Sequence, residues 1–183
     1  MMTVIEHFYP DDNDLRRCLI SHSENVRRKA LQIAEKSNIP LDLELVSQAA
    51  MLHDIGIFKC HAPDIFCTGN SPYITHGIIG GKLLREYAIE HKLDLEKHAR
   101  ICERHTGSGL SIEDIRIQRL PLPEKNFLPE TAEEKLICLA DKFFSKSGDG
   151  KEKSTENVRL SFARFSPSAR ERLEELLNLF NCS

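Results

Sequence analysis

Apolar residues recur three and four positions apart along most of this 183-residue chain. Between residues 22 and 37, Val26, Ala30, Ile33 and Ala34 fall on one face of a helix. No stretch shows the strict alternation of apolar and polar residues that is typical of a half-buried strand. The spacing therefore predicts an almost entirely helical, all-α fold.

The same spacing predicts the remaining helices, and clusters of proline, glycine and asparagine predict the loops. Loops are predicted over 60–73 and 120–129, within the wider loop regions 57–75 and 106–130. Further helices are predicted over 42–53, from His76 onward, over 94–105, from Thr131 to about 144, and over 155–165 and 168–180. A chain of this length suits one domain, so we expect residues 1–183 to form a single unit. Its core would span about 22–146, with C-terminal helices over about 155–180 packed on it.

Composition narrows the classes of protein to consider. Hydrophobic residues at 40% and charged residues at 29% are typical of an ordinary globular protein. A net charge of −3 offers no general attraction for a phosphate backbone, so nucleic acid is not an expected partner. No secretory signal or membrane-length apolar run is visible, and the six cysteines contain no Cys-x-x-Cys pair. These features predict a cytoplasmic protein with reduced thiols and no membrane partner.

Six residues able to bind metal ions fall on or next to the predicted apolar stripes. Imidazole nitrogens and carboxylate oxygens together are the donor mixture that divalent transition metals prefer. A single histidine at a helix end is usually a structural residue, so the argument depends on the set. The six residues are His22, His53, Asp54, His76, His105 and Asp141.

The two aspartates are the hardest of these residues to explain without a cation. Asp141 lies on an apolar stripe with Leu136, Ile137 and Ala140, and an unpaired buried carboxylate costs several kcal/mol. Lys142 projects about 100° around the helix from it and is not the expected partner. Asp54 follows a predicted helix C-terminus, which is an unfavourable place for negative charge. A bound metal ion would resolve both difficulties, which favours a metal-dependent hydrolase.

The motifs around these residues resemble a known family. The run Met51-Leu52-His53-Asp54-Ile55-Gly56 is preceded by His22 in Ser-His-Ser-Glu-Asn-Val and followed by Leu139-Ala140-Asp141-Lys142. This order is similar to that of the HD-domain superfamily of metal-dependent phosphohydrolases. The resemblance implies an HD-domain helical bundle in which His22, His53, Asp54 and Asp141 bind one metal ion.

Two further histidines resemble those of the binuclear branch of this superfamily, which includes the bacterial symmetrical dinucleoside tetraphosphate hydrolases. The resemblance implies that Asp54 bridges two metal ions and that His76 and His105 complete the second centre. Iron, manganese or zinc suits such a ligand set better than magnesium alone.

The resemblance predicts a phosphohydrolase that cleaves a phosphate ester or phosphoanhydride of a small nucleotide-like substrate. Two ions roughly 3.5–4 Å apart can activate a shared water as the attacking hydroxide. Asp54 and Lys59 are the predicted catalytic residues, and His61 is a candidate proton donor. The candidate substrate-binding residues are Lys59, His61, Lys82, Arg104, Lys142 and Lys146.

Two alternatives from other classes remain open. The first is a binuclear-iron oxygenase on the same HD scaffold, which would need redox-active iron. The second is a non-catalytic HD sensor domain with a residual metal, which the complete set of six ligand positions disfavours. The oligomeric state is not indicated by the sequence.

Overall fold

A computed structural model describes residues 1–147 and 150–182, and nearly all of the regular structure in these ranges is helical. This confirms the predicted all-α fold. The helices are α1 (Met2–Phe8), α2 (Asp14–Lys36), α3 (Leu43–Leu52), α4 (His76–His91), α5 (Glu96–Arg104), α6 (Ile112–Gln118), α7 (Ala132–Lys142), α8 (Thr155–Phe162) and α9 (Pro167–Leu179).

Side-chain caps explain where several helices begin. Asn13 accepts a hydrogen bond from the backbone N–H of Arg16 and starts α2 at Asp14, eight residues before the predicted start. His22 therefore lies inside a long helix rather than at its beginning. At α7, Thr131 and Glu134 form a reciprocal capping box. The sequence predicted a helix start at Thr131 but not the part played by Glu134.

The structure contains three features that the sequence did not predict. Helix α1 was not predicted, and α6 lies within 106–130, where no helix was expected. Strands β1 (His61–Ala62) and β2 (Cys67–Thr68) pair antiparallel inside the predicted loop 60–73. Two residues per strand are too few to produce a visible alternation, and seven-residue helices give only two turns of periodicity. All six cysteines lie in the described part of the chain and are free.

Buried apolar side chains form two clusters, and α3 contributes to both. One cluster joins α3 to α2, α7, α8 and α9, and includes Val46, Leu136 and Leu177. The other joins α3 to α1, α4 and α5, and includes Leu52 and Leu84. The C-terminal end of α3 therefore lies where the two helix groups meet. That residues 1–183 make up one domain remains a prediction.

Among the described residues, no helix is both long and apolar enough to cross a lipid bilayer.

Asp114 should make the stability of this fold depend on acidity. Burial alone would raise the pKa of Asp114, but hydrogen bonds from Ser111 and the guanidinium of Arg172 hold this pKa below its usual value. Stability supplied by a carboxylate with a lowered pKa is present at neutral pH and is lost as pH falls through that pKa. We expect chemical denaturation to show a larger loss of unfolding free energy between pH 7 and pH 3 for wild type than for Asp114→Asn. Equal losses in the two proteins would contradict this expectation.

Candidate metal centre

The six predicted ligands come from five separate elements that meet at the end of α3. His22 lies in α2, and His53 and Asp54 directly follow α3. His76 is the first residue of α4, His105 follows the last residue of α5, and Asp141 lies in the last turn of α7. All six residues are buried.

The first group contains His22, His53, Asp54 and Asp141, whose donor atoms all lie within 4.8 Å of one another. Nε2 of His22 is 2.9 Å from Oδ1 of Asp141 and 3.3 Å from Oδ2 of Asp54. Nε2 of His53 is 3.1 Å from the same Asp54 oxygen and 3.6 Å from Asp141 Oδ1. Two imidazoles and two carboxylates therefore face a common point.

The second group contains Asp54, His76 and His105, again with donor atoms within 4.8 Å of one another. Nε2 of His76 and Nε2 of His105 each lie 3.4 Å from Oδ1 of Asp54. Because Oδ2 of Asp54 faces the first group, this one carboxylate is shared between the two groups.

Backbone carbonyls orient three of the imidazoles. In each case Nδ1 lies within hydrogen-bond distance of the carbonyl three residues earlier, and an N–H there leaves Nε2 as the acceptor that faces the centre. The pairs are His53 with Ala50 at 2.7 Å, His76 with Tyr73 at 2.6 Å and His105 with Cys102 at 2.8 Å.

This arrangement fits a metal ion better than a network of hydrogen bonds. Nε2 of His76 lies 3.1 Å from Nε2 of His105, so two lone pairs would oppose each other if both Nδ1 atoms carry the proton. Nε2 of His53 and Oδ1 of Asp54 are buried and receive no hydrogen bond of acceptable geometry, while Oδ2 of Asp54 has an ion pair with Lys146. Buried acceptors without donors are costly, and a cation removes that cost. The cluster could therefore hold a divalent metal ion.

Burial and nearby charges shift the pKa values of the imidazoles in opposite directions. Burial disfavours the charged form of His53, but the carboxylates of Asp54 and Asp141 outweigh it and raise its pKa to about 9. Burial lowers the pKa of His76 to about 3 and also lowers that of His105. Burial alone would raise the pKa of each aspartate, but nearby positive charge outweighs burial at both. His53 and Lys146 hold the pKa of Asp54 well below its usual range, and Lys142 and Lys146 do the same for Asp141. Both carboxylates are therefore charged at neutral pH.

Two lysines lie beside these carboxylates. Nζ of Lys146 is 2.6 Å from Asp54 Oδ2, and Nζ of Lys142 is 2.7 Å from Asp141 Oδ2. The expectation that Lys142 points away from Asp141 was wrong, because its flexible chain folds back across the 100° offset. Lys142 also donates to the carbonyl of His105. Both lysines line a cleft of about 430 Å³ that opens next to Asp141.

A model of the HD-domain family matches residues 19–145, which is more than half of the chain. This chain belongs to the HD-domain family. The match contains all six metal-binding candidates, and the predicted family membership is confirmed. No solved structure matches the chain at a significant level.

Three archaeal proteins are similar to this HD domain in sequence. A tRNA (cytidine(56)-2′-O)-methyltransferase of Picrophilus torridus is 39% identical over 127 residues, covering 69% of this chain and 31% of the relative. A protein of the same name from Thermoplasma volcanium is 32% identical over 158 residues, covering 86% and 40%. An uncharacterized protein of Methanocaldococcus jannaschii is 37% identical over 130 residues, covering 71% and 65%. The chain thus spans about a third to two thirds of the length of these relatives.

The names of the first two relatives contradict two predictions from the sequence. They describe enzymes that act on tRNA, so the prediction of a phosphohydrolase for a small nucleotide-like compound was wrong. The exclusion of nucleic acid as a partner was wrong for the same reason. Its physical basis was weak, because a net charge summed over the chain does not describe the local charge of one cleft.

The remaining predicted site residues lie apart from the six ligands. Lys59 is exposed with its ammonium over the ring of Phe58, and His61 is exposed on β1. Lys82 is exposed and lies 3.7 Å from Glu86 on its own helix. Arg104 donates to the carbonyl of Leu128 and pairs with Glu130. Among the described residues, no recorded hydrogen bond or ion pair joins the side chains of these four residues to the six candidate ligands, and their roles stay predictions.

Three residues at the site were not anticipated. The ring of Tyr73 stacks on His76 with centroids 4.7 Å apart, while its carbonyl accepts from that imidazole. Lys153 and Arg164 line the cleft next to the centre. Their positions in the sequence carry no motif, so only the packing of the chain reveals them.

Proposed function

We propose that this HD domain is a divalent-metal-dependent enzyme that acts on tRNA. The observation that carries the proposal is a buried centre in which one carboxylate, that of Asp54, faces two groups of metal-ligating side chains. The tRNA component is supported by the names of the two archaeal relatives. Because the chain covers only 31% and 40% of those proteins, the proposal concerns the reaction of this centre and not their whole activity.

We place two metal ions at the centre, with iron, manganese or zinc as the candidates. His22, His53 and Asp141 would hold the first, His76 and His105 the second, and Asp54 both. Four imidazoles with two carboxylates are the mixed donors that these ions prefer. Bound there, the ions would supply positive charge to a phosphate group and lower the pKa of a water molecule.

The residues of the chain itself prepare the centre for an anionic group. The backbone carbonyls behind His53, His76 and His105 hold the rings in place, which favours one ligand geometry. Lys142 and Lys146 bring two ammonium groups to the cleft, where they can contact phosphate oxygens once cations neutralise the aspartates.

The reaction that the comparisons support is methyl transfer to a tRNA 2′-hydroxyl, which is the reaction that the names of the two relatives describe. The hydroxyl oxygen would accept the methyl group of a sulfonium donor, the donor would leave as a thioether, and the hydroxyl proton would pass to water.

One experiment tests the proposal. Protein reconstituted with manganese or iron is incubated with tRNA transcripts and a sulfonium methyl donor labelled in its methyl group. We expect metal-dependent methyl incorporation into tRNA with wild type and with the surface variant Lys97→Met, and none with Asp54→Asn. Absence of methyl incorporation with metal-loaded wild type would contradict the proposed reaction.

A further inference from the structure

The cleft beside the metal centre extends beyond the part of the chain that matches the HD-domain model. That match ends at residue 145, whereas Lys153, Ser161 and Arg164 also line the cleft. This side of the cleft therefore comes from residues outside the matched region: Lys153 precedes α8, Ser161 lies in its last turn and Arg164 follows its C-terminal end.

Lys153 is positioned on this side of the cleft by the backbone. Its N–H donates to the carbonyl of Phe143 at 2.8 Å, which ties the segment before α8 to the end of α7. The side chain is half-buried, and the structure records no ion pair for it among the described residues. Burial lowers the pKa of its ammonium, Asp141 opposes that change, and the nearby Lys142 and Lys146 add to it. A cation in such a place gains most from an anion that enters the cleft.

Arg164 lies on the same cleft and is also free to bind. Its guanidinium lies over the ring of Phe165, 5.2 Å from the centroid, and in the described ranges it pairs with no carboxylate. Contact with an aromatic ring leaves the edge of the guanidinium available for two parallel hydrogen bonds to an anion.

The cationic side chains that line the cleft are not all paired. Lys142 pairs with Asp141 and Lys146 pairs with Asp54, both next to the candidate metal centre. Asp64 is the other carboxylate among the lining residues, against the two cations Lys153 and Arg164. The two lysines next to the centre are therefore neutralised, while Lys153 and Arg164 have no recorded carboxylate partner in the described part of the chain.

We propose that Lys153 and Arg164 bind a phosphodiester group of the RNA strand next to the nucleotide held at the metal centre. The inference rests on the proposed function, since it concerns how the same cleft holds tRNA. It also gives the cleft a physical preference for a polynucleotide, because a mononucleotide has no phosphodiester to offer. An acidic protein segment is the other ligand with suitable charge, and failure of wild type to bind tRNA is the outcome that would favour it.

Binding of a fluorescent tRNA transcript, measured by anisotropy at several potassium chloride concentrations, tests the proposal without catalysis. Each phosphate contact contributes about 0.7 to 0.9 to the slope of log K against log salt concentration. We expect Lys153→Met and Arg164→Met each to weaken binding and to reduce the slope by about that amount. Lys153→Arg should retain the slope, and the exposed Lys97→Met should match wild type.

Metal content, measured on the same samples, should be equal in wild type and Lys153→Met, which shows that the centre is intact. A slope unchanged in both methionine variants would overturn this inference and leave the proposed reaction standing if tRNA is still methylated. The expected slope change without methyl incorporation would support the inference while contradicting the reaction. A wild type that does not bind tRNA would overturn both.

Discussion

Replacement of Asp54 by asparagine is expected to abolish binding at both metal positions at once. Oδ2 of Asp54 faces His22 and His53, and Oδ1 faces His76 and His105. Loss of one outer-shell partner of a ligand already costs about 10- to 100-fold in metal affinity, so loss of a shared charged ligand should cost more than about 100-fold at each position. Titration with manganese, together with elemental analysis after gel filtration, measures the effect.

Two matched variants show whether the loss of both metal ions depends on Asp54 being shared between the two groups. Asp141→Asn removes a carboxylate from the first group alone, and His76→Gln removes a ligand from the second group alone. Each should leave one position occupied. The shared-ligand model fails if Asp54→Asn, folded by circular dichroism, still binds as much metal as either variant.

Replacement of Gly56 by alanine is expected to destabilise the fold and to weaken the metal centre together. A Cβ atom at this position would lie 2.3 Å from the carbonyl oxygen of His76 and 2.5 Å from the backbone nitrogen of Gly80. Both are backbone atoms of α4, which cannot rotate away, so the helix must shift. Overpacking costs about 1–3 kcal/mol, and we expect a loss of about 3 kcal/mol here. The thermal midpoint should fall by about 6–12 °C.

Because His76 opens α4, the same shift should move its imidazole away from Asp54 and weaken the second metal position. Gly107→Ala is the matched control. A Cβ atom at residue 107 would meet nothing within 4 Å, so the substitution would lose stability only because the backbone there has a positive φ of 61°. This variant should lose about 1 kcal/mol and keep its metal affinity. Equal metal binding by Gly56→Ala and wild type would contradict the close packing of α4 on the turn after Asp54.

The six candidate ligands could be selected from the sequence because two of them, the aspartates, are hard to explain without a cation. Asp141 lies on an apolar stripe where a charge is unexpected, and His53-Asp54 occupies a helix end that repels negative charge. The structure brings these residues together with His22, His76 and His105 in two groups. Lys59 illustrates the opposite case: proximity in sequence to the motif suggested a role, but its ammonium contacts Phe58.

The partner could not be predicted from composition. A net charge of −3 suggested no attraction for nucleic acid, whereas the cleft carries four cationic side chains against two carboxylates. Charge acts over a range of about 8–10 Å at physiological salt, so the local arrangement decides which ligand is attracted.

The sequence by itself determined the helical class and the family and indicated six candidate ligands, because helical spacing, motif order and the misfit of buried charges can all be read along the chain. Only the tertiary structure decided that Asp54 faces both groups and that Lys142 folds back to Asp141. It alone placed Lys153 and Arg164 beside the centre. These features depend on distances between segments far apart in the chain, which are set when the helices pack and leave no pattern along it.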